Sequence, residues 1–338
     1  MQMSNRSILF TSPGRAELCD AEIPSIGAGE VLVKLLRSTV SAGTERAILT
    51  GDPNVNWKGT PVPFPRKSGY SSVGIVEAIG EGVTRVAVGD RVACSWSNHA
   101  QYCKLRERCV YPIGDDLSDA DAALVHIATF PLAAIRKCHL EIGESAIVMG
   151  LGVLGLVTVS LLRIAGAAPI IAVDPVAKKR ALALTLGADY ALDPNAPDFA
   201  QTVRALTNGG AHVAIEITGR GAGLDTVLDC MRRFGRVALL GCTRSADFTI
   251  DYYKKVHGPG ITLIGAHTNA RPLQDSFSGW WSEADDAMAI INLIQCKRLD
   301  LARLVEEVVS PADSPRIYTR LASSPAFPII QFDWRKLK

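Results

Sequence analysis

Two hydrophobic rhythms divide the chain. Up to about residue 120, apolar residues come in short runs broken by Gly and Pro: SILF (7–10), VLVKLLR (31–37), VGIVEAIG (73–80), RVAC (91–94) and AQYCKL (100–105). Runs of this length between turn residues predict strands, and Gly80, Gly82 and Gly89 supply the turns between them. Such a series predicts a small barrel or sandwich. The stretch GDPNVNWKGTPVPFPRK (51–67) is too irregular for a strand or a helix and is expected to be a loop.

The rhythm changes near residue 118. LSDADAALVHIATFPLAAIRKC (117–138) predicts one helix, with Ser118 as N-cap and Asp119 and Asp121 in its first turn. Strands and helices then alternate. SAIVMG (145–150), IIAVD (170–174), YALD (190–193), VAIEITG (213–219), RVALLG (236–241) and ITLIGA (261–266) read as strands. VLGLVTVSLLRIAG (153–166), AKKRALALTLG (177–187) and LDTVLDCMRRFG (224–235) read as helices. This alternation predicts an α/β fold with a doubly wound parallel sheet. It stops near residue 273, where an amphipathic helix (285–299) and two strand-like pieces (305–309, 327–334) follow. The expected organisation is one domain from residues 1–120 and 273–338, interrupted by another at 121–272.

Composition narrows the function classes. A chain of 338 residues, 48% hydrophobic and 21% charged, suits two folded domains and is not disordered. Lys plus Arg number 36 against 34 Asp plus Glu, with no long run of either sign. That argues against a nucleic-acid or membrane-surface binder working by bulk charge. The uncharged run 145–162 is long enough to span a bilayer, but three glycines in six residues argue against a span. The start MQMSNRSILFTSPGRAE lacks a signal peptide's apolar stretch, so a cytoplasmic protein with eight free thiols is expected. Cys94, Cys103 and Cys109 are the tightest cysteine group, and their spacings of nine and six are not those of a zinc site.

Gly150-Leu151-Gly152-Val153-Leu154-Gly155 fits G-x-G-x-x-G. It follows a predicted strand, opens a predicted helix, and precedes a second strand ending at Asp174. In that context it marks a dinucleotide site. Gly150 permits a tight turn, Gly152 admits the pyrophosphate, and Gly155 lets helix and strand pack. Val153 and Leu154 open the helix whose N-terminus faces the anion. Asp174 suits the ribose hydroxyls of NAD and repels the extra phosphate of NADP. Lys178, Lys179 and Arg180 oppose that preference, which leaves NADP as the second cofactor; Lys179 and Thr218 complete the expected cofactor set.

These segments, together with GYSSVGIVEAIGEGVTRVAVGDRV (69–92), resemble the medium-chain dehydrogenase/reductase superfamily over nearly the whole chain, and within it the zinc-type alcohol, polyol and threonine dehydrogenases. The resemblance implies a GroES-like β-barrel catalytic domain, a Rossmann NAD(P)-binding domain, an active site in the cleft between them, and a homodimer paired along the strand ITLIGA. The chain departs from that pattern at the metal. Where zinc members carry C-G-[TS]-D, it has Ala42-Gly43-Thr44-Glu45; where they carry G-H-E, it has Gly69-Tyr70-Ser71. Where polyol dehydrogenases carry A-L-x-E-P, it has Ala123-Leu124-Val125-His126-Ile127, and the four-cysteine lobe is missing. A catalytic zinc needs about three protein ligands. The resemblance therefore implies a zinc-free branch, with no metal site. Side chains then take over the acid–base work: His126, which titrates near neutral pH, Thr44 as proton relay, and Tyr70 beside them.

Around these, Glu45 and Arg46 could orient neighbours, although a charged pair at a helix start is usually solvated surface. Trp57, Trp96 and Trp281 are candidates to wall a pocket, and His267 corresponds to a position that approaches the nicotinamide. The leading expectation is a zinc-independent, NAD(H)-dependent oxidoreductase acting on a small molecule. It would move a hydride between the nicotinamide and a secondary alcohol or ketone, with a sugar, cyclitol or other polyol as substrate. SAGTERAILTG (41–51) and GYSSVG (69–74) also resemble bacteriochlorophyllide dehydrogenases. That resemblance leaves oxidation of a tetrapyrrole hydroxyethyl group as an alternative. Reduction of an activated C=C bond and a non-catalytic NAD(P)H-binding protein are the others.

Overall fold

A computed structural model describes residues 4–55, 60–61, 63–246, 248–324 and 326–337. Its chain divides into two compact units, residues 1–127 with 287–338, and residues 128–286.

The first unit is built mainly from antiparallel strands, with one parallel pair at the edge of its larger sheet. β1 (Asn5–Ser12) pairs with β2 (Arg15–Ala21) and with β4 (Arg66–Lys67). Part of the stretch expected as loop is therefore a short strand, because its backbone completes the edge of β1. A second sheet runs β15 (Glu307–Val309), β16 (Ile330–Asp333), β3 (Glu30–Thr39), β5 (Ser71–Ile79), β6 (Arg91–Ser95) and β8 (Val110–Pro112), with β7 (Tyr102–Arg106) on β3. Gly74 lies at the crowded crossing of β5 and β3, where a Cβ would stand 2.4 Å from the Lys34 carbonyl oxygen. Inward residues such as Ile8, Phe10, Val33, Val92, Ile330 and Phe332 form the core. Helices α1 (Ala42–Thr50) and α9 (Ser314–Ser323) complete this unit with the short α2 (Asp119–Ala122).

A buried polar chain joins these elements. Glu45 of α1 is fully buried, and its carboxylate accepts from the Ser41 N–H at 2.7 Å, from Tyr318 Oη of α9 at 2.5 Å and from His99 Nε2 at 3.1 Å. On its other side, His99 Nδ1 lies 2.8 Å from Ser38 Oγ, which accepts from Trp334 Nε1 at 3.0 Å. Every group is satisfied if Trp334 donates to Ser38, Ser38 to a neutral His99, and His99 to Glu45. The neighbouring Arg46 also turns inward, donating to the carbonyls of Leu321 (2.8 Å) and Ser324 (2.6 Å). The expectation of a solvated charged pair is thus corrected. Glu45 shares the helix face of Ile48 and Leu49, so it is carried into the core with them.

The expected helix at 117–138 is broken in two. Ser118 caps α2 as expected, its Oγ accepting from the Asp121 N–H at 3.1 Å. The Ala123 carbonyl is then taken by two hydroxyls, Thr39 Oγ1 at 2.8 Å and Ser71 Oγ at 2.7 Å. The chain restarts as α3 (Val125–Lys137), and His126 lies in its first turn.

The second unit holds a six-stranded, wholly parallel sheet. Its order is β11 (Tyr190–Leu192), β10 (Ile170–Val173), β9 (Ala146–Met149), β12 (Ala211–Glu216), β13 (Met231–Leu239) and β14 (Thr262–Gly265). The connecting helices include α4 (Val153–Ala165), α5 (Ala177–Thr185), α6 (Phe199–Leu206) and α7 (Gly221–Asp229). α8 (Glu283–Gln295) follows near the return to the first unit. β9 and β10 are buried at every position, as strands covered on both faces must be. The run 145–162 therefore folds as a strand and a helix; among the described residues no helix is long and apolar enough to cross a membrane. The expected helix 224–235 stops at Asp229. The Ala211 N–H takes the Cys230 carbonyl at 2.9 Å, and Met231 onward joins the sheet beside β12.

The Glu45 chain carries a direct test. In Glu45→Ala the donors of Ser41, His99 and Tyr318 lose their acceptor inside the core, and stability should fall by about 1–3 kcal/mol for each donor left unsatisfied. Tyr318→Phe removes one bond to a charged group and should cost about 1.5–3 kcal/mol. Thermal melting of both variants measures this, and a Glu45→Ala protein melting with the wild type would show that the chain is not structural.

Candidate active site

The glycine-rich turn forms between β9 and α4. Gly150 adopts φ +98°, a conformation that favours glycine, and a Cβ there would meet Thr218 Cγ2 at 3.0 Å. A Cβ on Gly155 would lie 1.9 Å from the Gly150 carbonyl oxygen, so helix and strand pack only with glycine here. Gly152 differs, since a Cβ placed on it meets nothing within 4 Å. Its glycine is not required by protein packing, which fits a backbone left bare for a ligand. Gly152 is the N-cap of α4 without a side-chain cap bond, and the first turn, with Val153 and Leu154, contains no acidic residue. Backbone donors and helix dipole thus remain for an anion.

Asp174 follows β10 and is buried. Its Oδ2 accepts from the Leu151 N–H at 2.9 Å and its Oδ1 from the Val176 N–H at 2.8 Å, fixing the carboxylate against the turn. Lys179 Nζ stands 3.8 Å from Oδ2. Arg180 is engaged elsewhere, with the carbonyls of Asp174 (2.7 Å) and Pro175 (2.9 Å) and with Asp193 (3.1 Å). Lys178 is exposed. Thr218 follows β12, and its hydroxyl and N–H both donate to Glu216, whose carboxyl burial pushes above the usual range. These residues fit the adenosine and pyrophosphate end of a dinucleotide.

Two of the acid–base candidates, Tyr70 and His126, lie together, and Tyr70 reaches the residue before α1. Ser41 caps this helix without using its hydroxyl on the helix, and that oxygen accepts from Tyr70 Oη. Thr44, three residues on and half-buried, shares the helix side of Ser41. His126 is buried, with its ring edge-on to Tyr70 at 5.7 Å and to Trp96 at 4.8 Å between centroids. Trp96 is 43% exposed and held at φ +58°. Trp281 stacks on the Arg136 guanidinium at 3.5 Å, and Trp57 lies outside the described residues. His267 comes two residues after β14 and accepts from the Asn269 N–H at 3.1 Å.

The donors near His126 do not fit zinc. One imidazole accompanies a phenol, a hydroxyl and an indole, and Ala42 and Ser71 offer neither thiolate nor carboxylate. Among the described residues, no three His, Cys, Asp or Glu side chains gather as a metal site. Burial pushes the Cys94 thiol up strongly and that of Cys103 to about 11, so both stay protonated. Sequence reasoning missed Ser41, Glu45 and His99. The retrievable signal was Glu45 on the same helical stripe as Ile48 and Leu49; Ser41 and His99 had none.

Comparison with known proteins agrees with this geometry. Residues 27–122 match the alcohol dehydrogenase GroES-like domain, and residues 153–285 match the zinc-binding dehydrogenase domain. L-threonine 3-dehydrogenase of Pyrococcus horikoshii is 28% identical over 289 residues, covering 77% of this chain and 82% of that protein. D-guloside 3-dehydrogenase of Shigella flexneri is 26% identical over 339 residues, covering 93% and 95%. In fold, the chain is similar to benzyl alcohol dehydrogenase of Acinetobacter calcoaceticus, with a TM-score of 0.84, 21% identity and coverage of 98% and 99%. The parallel sheet with its glycine turn and the antiparallel unit thus each have their counterpart, and the chain belongs to the zinc-type alcohol dehydrogenase-like group of the medium-chain dehydrogenase/reductase superfamily of NAD(P)-dependent oxidoreductases.

Proposed function

We propose that the protein is a zinc-independent oxidoreductase that uses NAD(H) to interconvert a secondary alcohol and its ketone, on a sugar, cyclitol or other polyol. What supports this reading is an intact dinucleotide turn together with the contact of Tyr70 and His126, the residues found where the resemblance implies zinc-binding positions. Its catalytic domain would comprise residues 1–120 and 273–338, and its cofactor domain residues 121–272. The relatives named for threonine and guloside oxidation support a hydroxyl-bearing substrate. β14 ends the parallel sheet, and that free edge supports a homodimer. The absence of a disulfide among the described residues supports a cytoplasmic location.

When bound, the nicotinamide supplies hydride acceptance or donation. The chain's own residues do the rest. The turn from Gly150 to Gly155 holds the pyrophosphate, and Asp174 takes the ribose hydroxyls. His126 exchanges a proton with the substrate oxygen and Thr44 relays it, while Tyr70, its hydroxyl proton given to Ser41, shapes the pocket beside them.

Turnover of a panel of polyols and ketones with NAD and NADP in parallel tests the reading, on protein whose zinc content is measured. We expect activity without stoichiometric zinc; one tightly held zinc per chain, lost together with activity on chelation, would overturn it.

NAD should be preferred, because the carboxylate of Asp174 is fixed and Arg180 is already engaged. Asp174→Ala removes the repulsion of a 2′-phosphate and should narrow or invert the preference, measured as the ratio of kcat/KM for the two cofactors. A wild-type protein that binds NADP more tightly would show that Lys178 and Lys179 dominate.

His126→Ala should lower kcat by about a hundredfold or more, the scale of a general acid–base group, with NAD affinity nearly unchanged. Wild-type turnover with a lowered melting temperature would instead make His126 a packing residue.

A further inference from the structure

A second concentration of charge lies in the residue 128–286 unit, at the end of β14 and outside the residues assigned above. The Arg271 side chain is only 6% exposed. Its Nη1 lies 3.5 Å from Thr129 Oγ1 and 3.9 Å from Asp286 Oδ2. Its Nε and Nη2 are buried with no hydrogen-bond partner among the described residues. These two nitrogens form one edge of the guanidinium, the fork that grips two oxygens of a carboxylate or phosphate. A buried charged donor left unmatched is costly, so a fork in this state calls for an acceptor.

One acceptor stands nearby but off this edge: Asp286 gives Oδ1 to Arg136 Nε at 2.9 Å, its Oδ2 faces Nη1 at 3.9 Å and makes no hydrogen bond among the described residues, and burial raises its carboxyl to about 6. Lys137 reaches the same place, donating to the carbonyls of Gly265 (3.3 Å) and Ala270 (2.5 Å). Burial and the charge of Arg271 bring its amine down to about 8. His267 is pushed down by burial and by Arg244, Lys137 and Arg271. Three cations therefore act on one imidazole, with Asp286 as the carboxylate that answers them.

The sheet order says which anion belongs here. Asp174 follows β10, and the pyrophosphate turn follows the adjacent β9. A dinucleotide with its adenosine ribose at Asp174 and its pyrophosphate at the glycine turn would extend from β10 across β9 toward β12, and beyond the pyrophosphate it carries no negative charge, the oxidised nicotinamide being a cation. β14 is three strands beyond β9 in that direction, roughly 14 Å at the usual strand spacing. Both phosphates and any 2′-phosphate stay on the far side. An oxyanion at Arg271 then comes from the substrate.

We propose that Arg271, with Lys137 beside it, is a recognition fork for an anionic group of the substrate, a carboxylate or a phosphate monoester, so that the enzyme acts on a polyhydroxy acid or a polyol phosphate rather than a neutral polyol. This rests on the NAD(H)-dependent reading above and names its substrate class.

The test is calorimetric titration of NADH-saturated protein with inorganic phosphate and, separately, with D-gluconate. We expect at least one to bind, more weakly as sodium chloride rises, and the one that binds distinguishes phosphate from carboxylate. Affinity should fall tenfold or more in Arg271→Met and by less in Arg271→Lys, which keeps the charge without the fork. NADH affinity should change less than twofold in both. Failure of both anions to bind wild-type protein, equal binding in wild type and variants, or displacement of the anion by NADH would each overturn the proposal. If Arg271→Met does not fold, Arg271→Lys and Lys137→Gln carry the same comparison. Absence of NADH binding in the wild type would instead refute the cofactor reading, a separate and distinguishable result.

Discussion

A carboxylate with no exposure to water must be answered by donors from the protein, and Glu45 is answered from three directions. The Ser41 N–H comes from its own helix start, the His99 imidazole from the turn before β7, and the Tyr318 hydroxyl from α9, 273 residues along the chain. Each donor is itself positioned by something else: His99 by Ser38, and Ser38 by Trp334. The arrangement sets the start of α1 to within hydrogen-bond tolerance. With the Ser41 backbone occupied by Glu45, its hydroxyl is left to the phenol of Tyr70. The orientation of the acid–base candidates thus follows from where a buried charge is neutralised.

The cluster around His126 has a parallel logic: a phenol held by a serine stands beside an imidazole edged by two aromatic rings. The break between α2 and α3 belongs to the same solution. The Thr39 and Ser71 hydroxyls claim the Ala123 carbonyl, and the chain resumes with His126 in the first turn of a new helix.

Net charge conceals how the charges are used. An overall balance of +2 excludes broad electrostatic attraction to a polyanion, yet it coexists with a local excess of cations around Arg271. Burial makes that excess consequential, because poorly screened cations demand an anion in a way that surface lysines do not. The same reasoning separates the two charged ends of the parallel sheet: a fixed carboxylate at β10 and a bare guanidinium edge beyond β14.

Local patterns in the sequence determined the parallel sheet, the glycine turn and its acidic companion. These depend on periodicity and on residues within a few positions of one another: apolar runs at β9 and β10, Gly155 against Gly150, Asp174 at a strand end. The resemblance, in turn, implies an altered metal position, since Ala42 and Tyr70 offer neither a thiolate nor an imidazole. What the sequence could not decide was long-range. The helix expected at 117–138 divides because hydroxyls from β3 and β5 take one of its carbonyls, and the helix expected at 224–235 ends early because β12 offers Met231 a partner. Glu45 looked like a surface charge until a histidine 54 residues away and a tyrosine 273 residues away were brought to it. Nothing in the sequence marked Arg271, whose fork is set apart only by its burial. Whether a polar side chain is solvated, satisfied or left wanting depends on what the chain packs around it, and only the tertiary structure decides that.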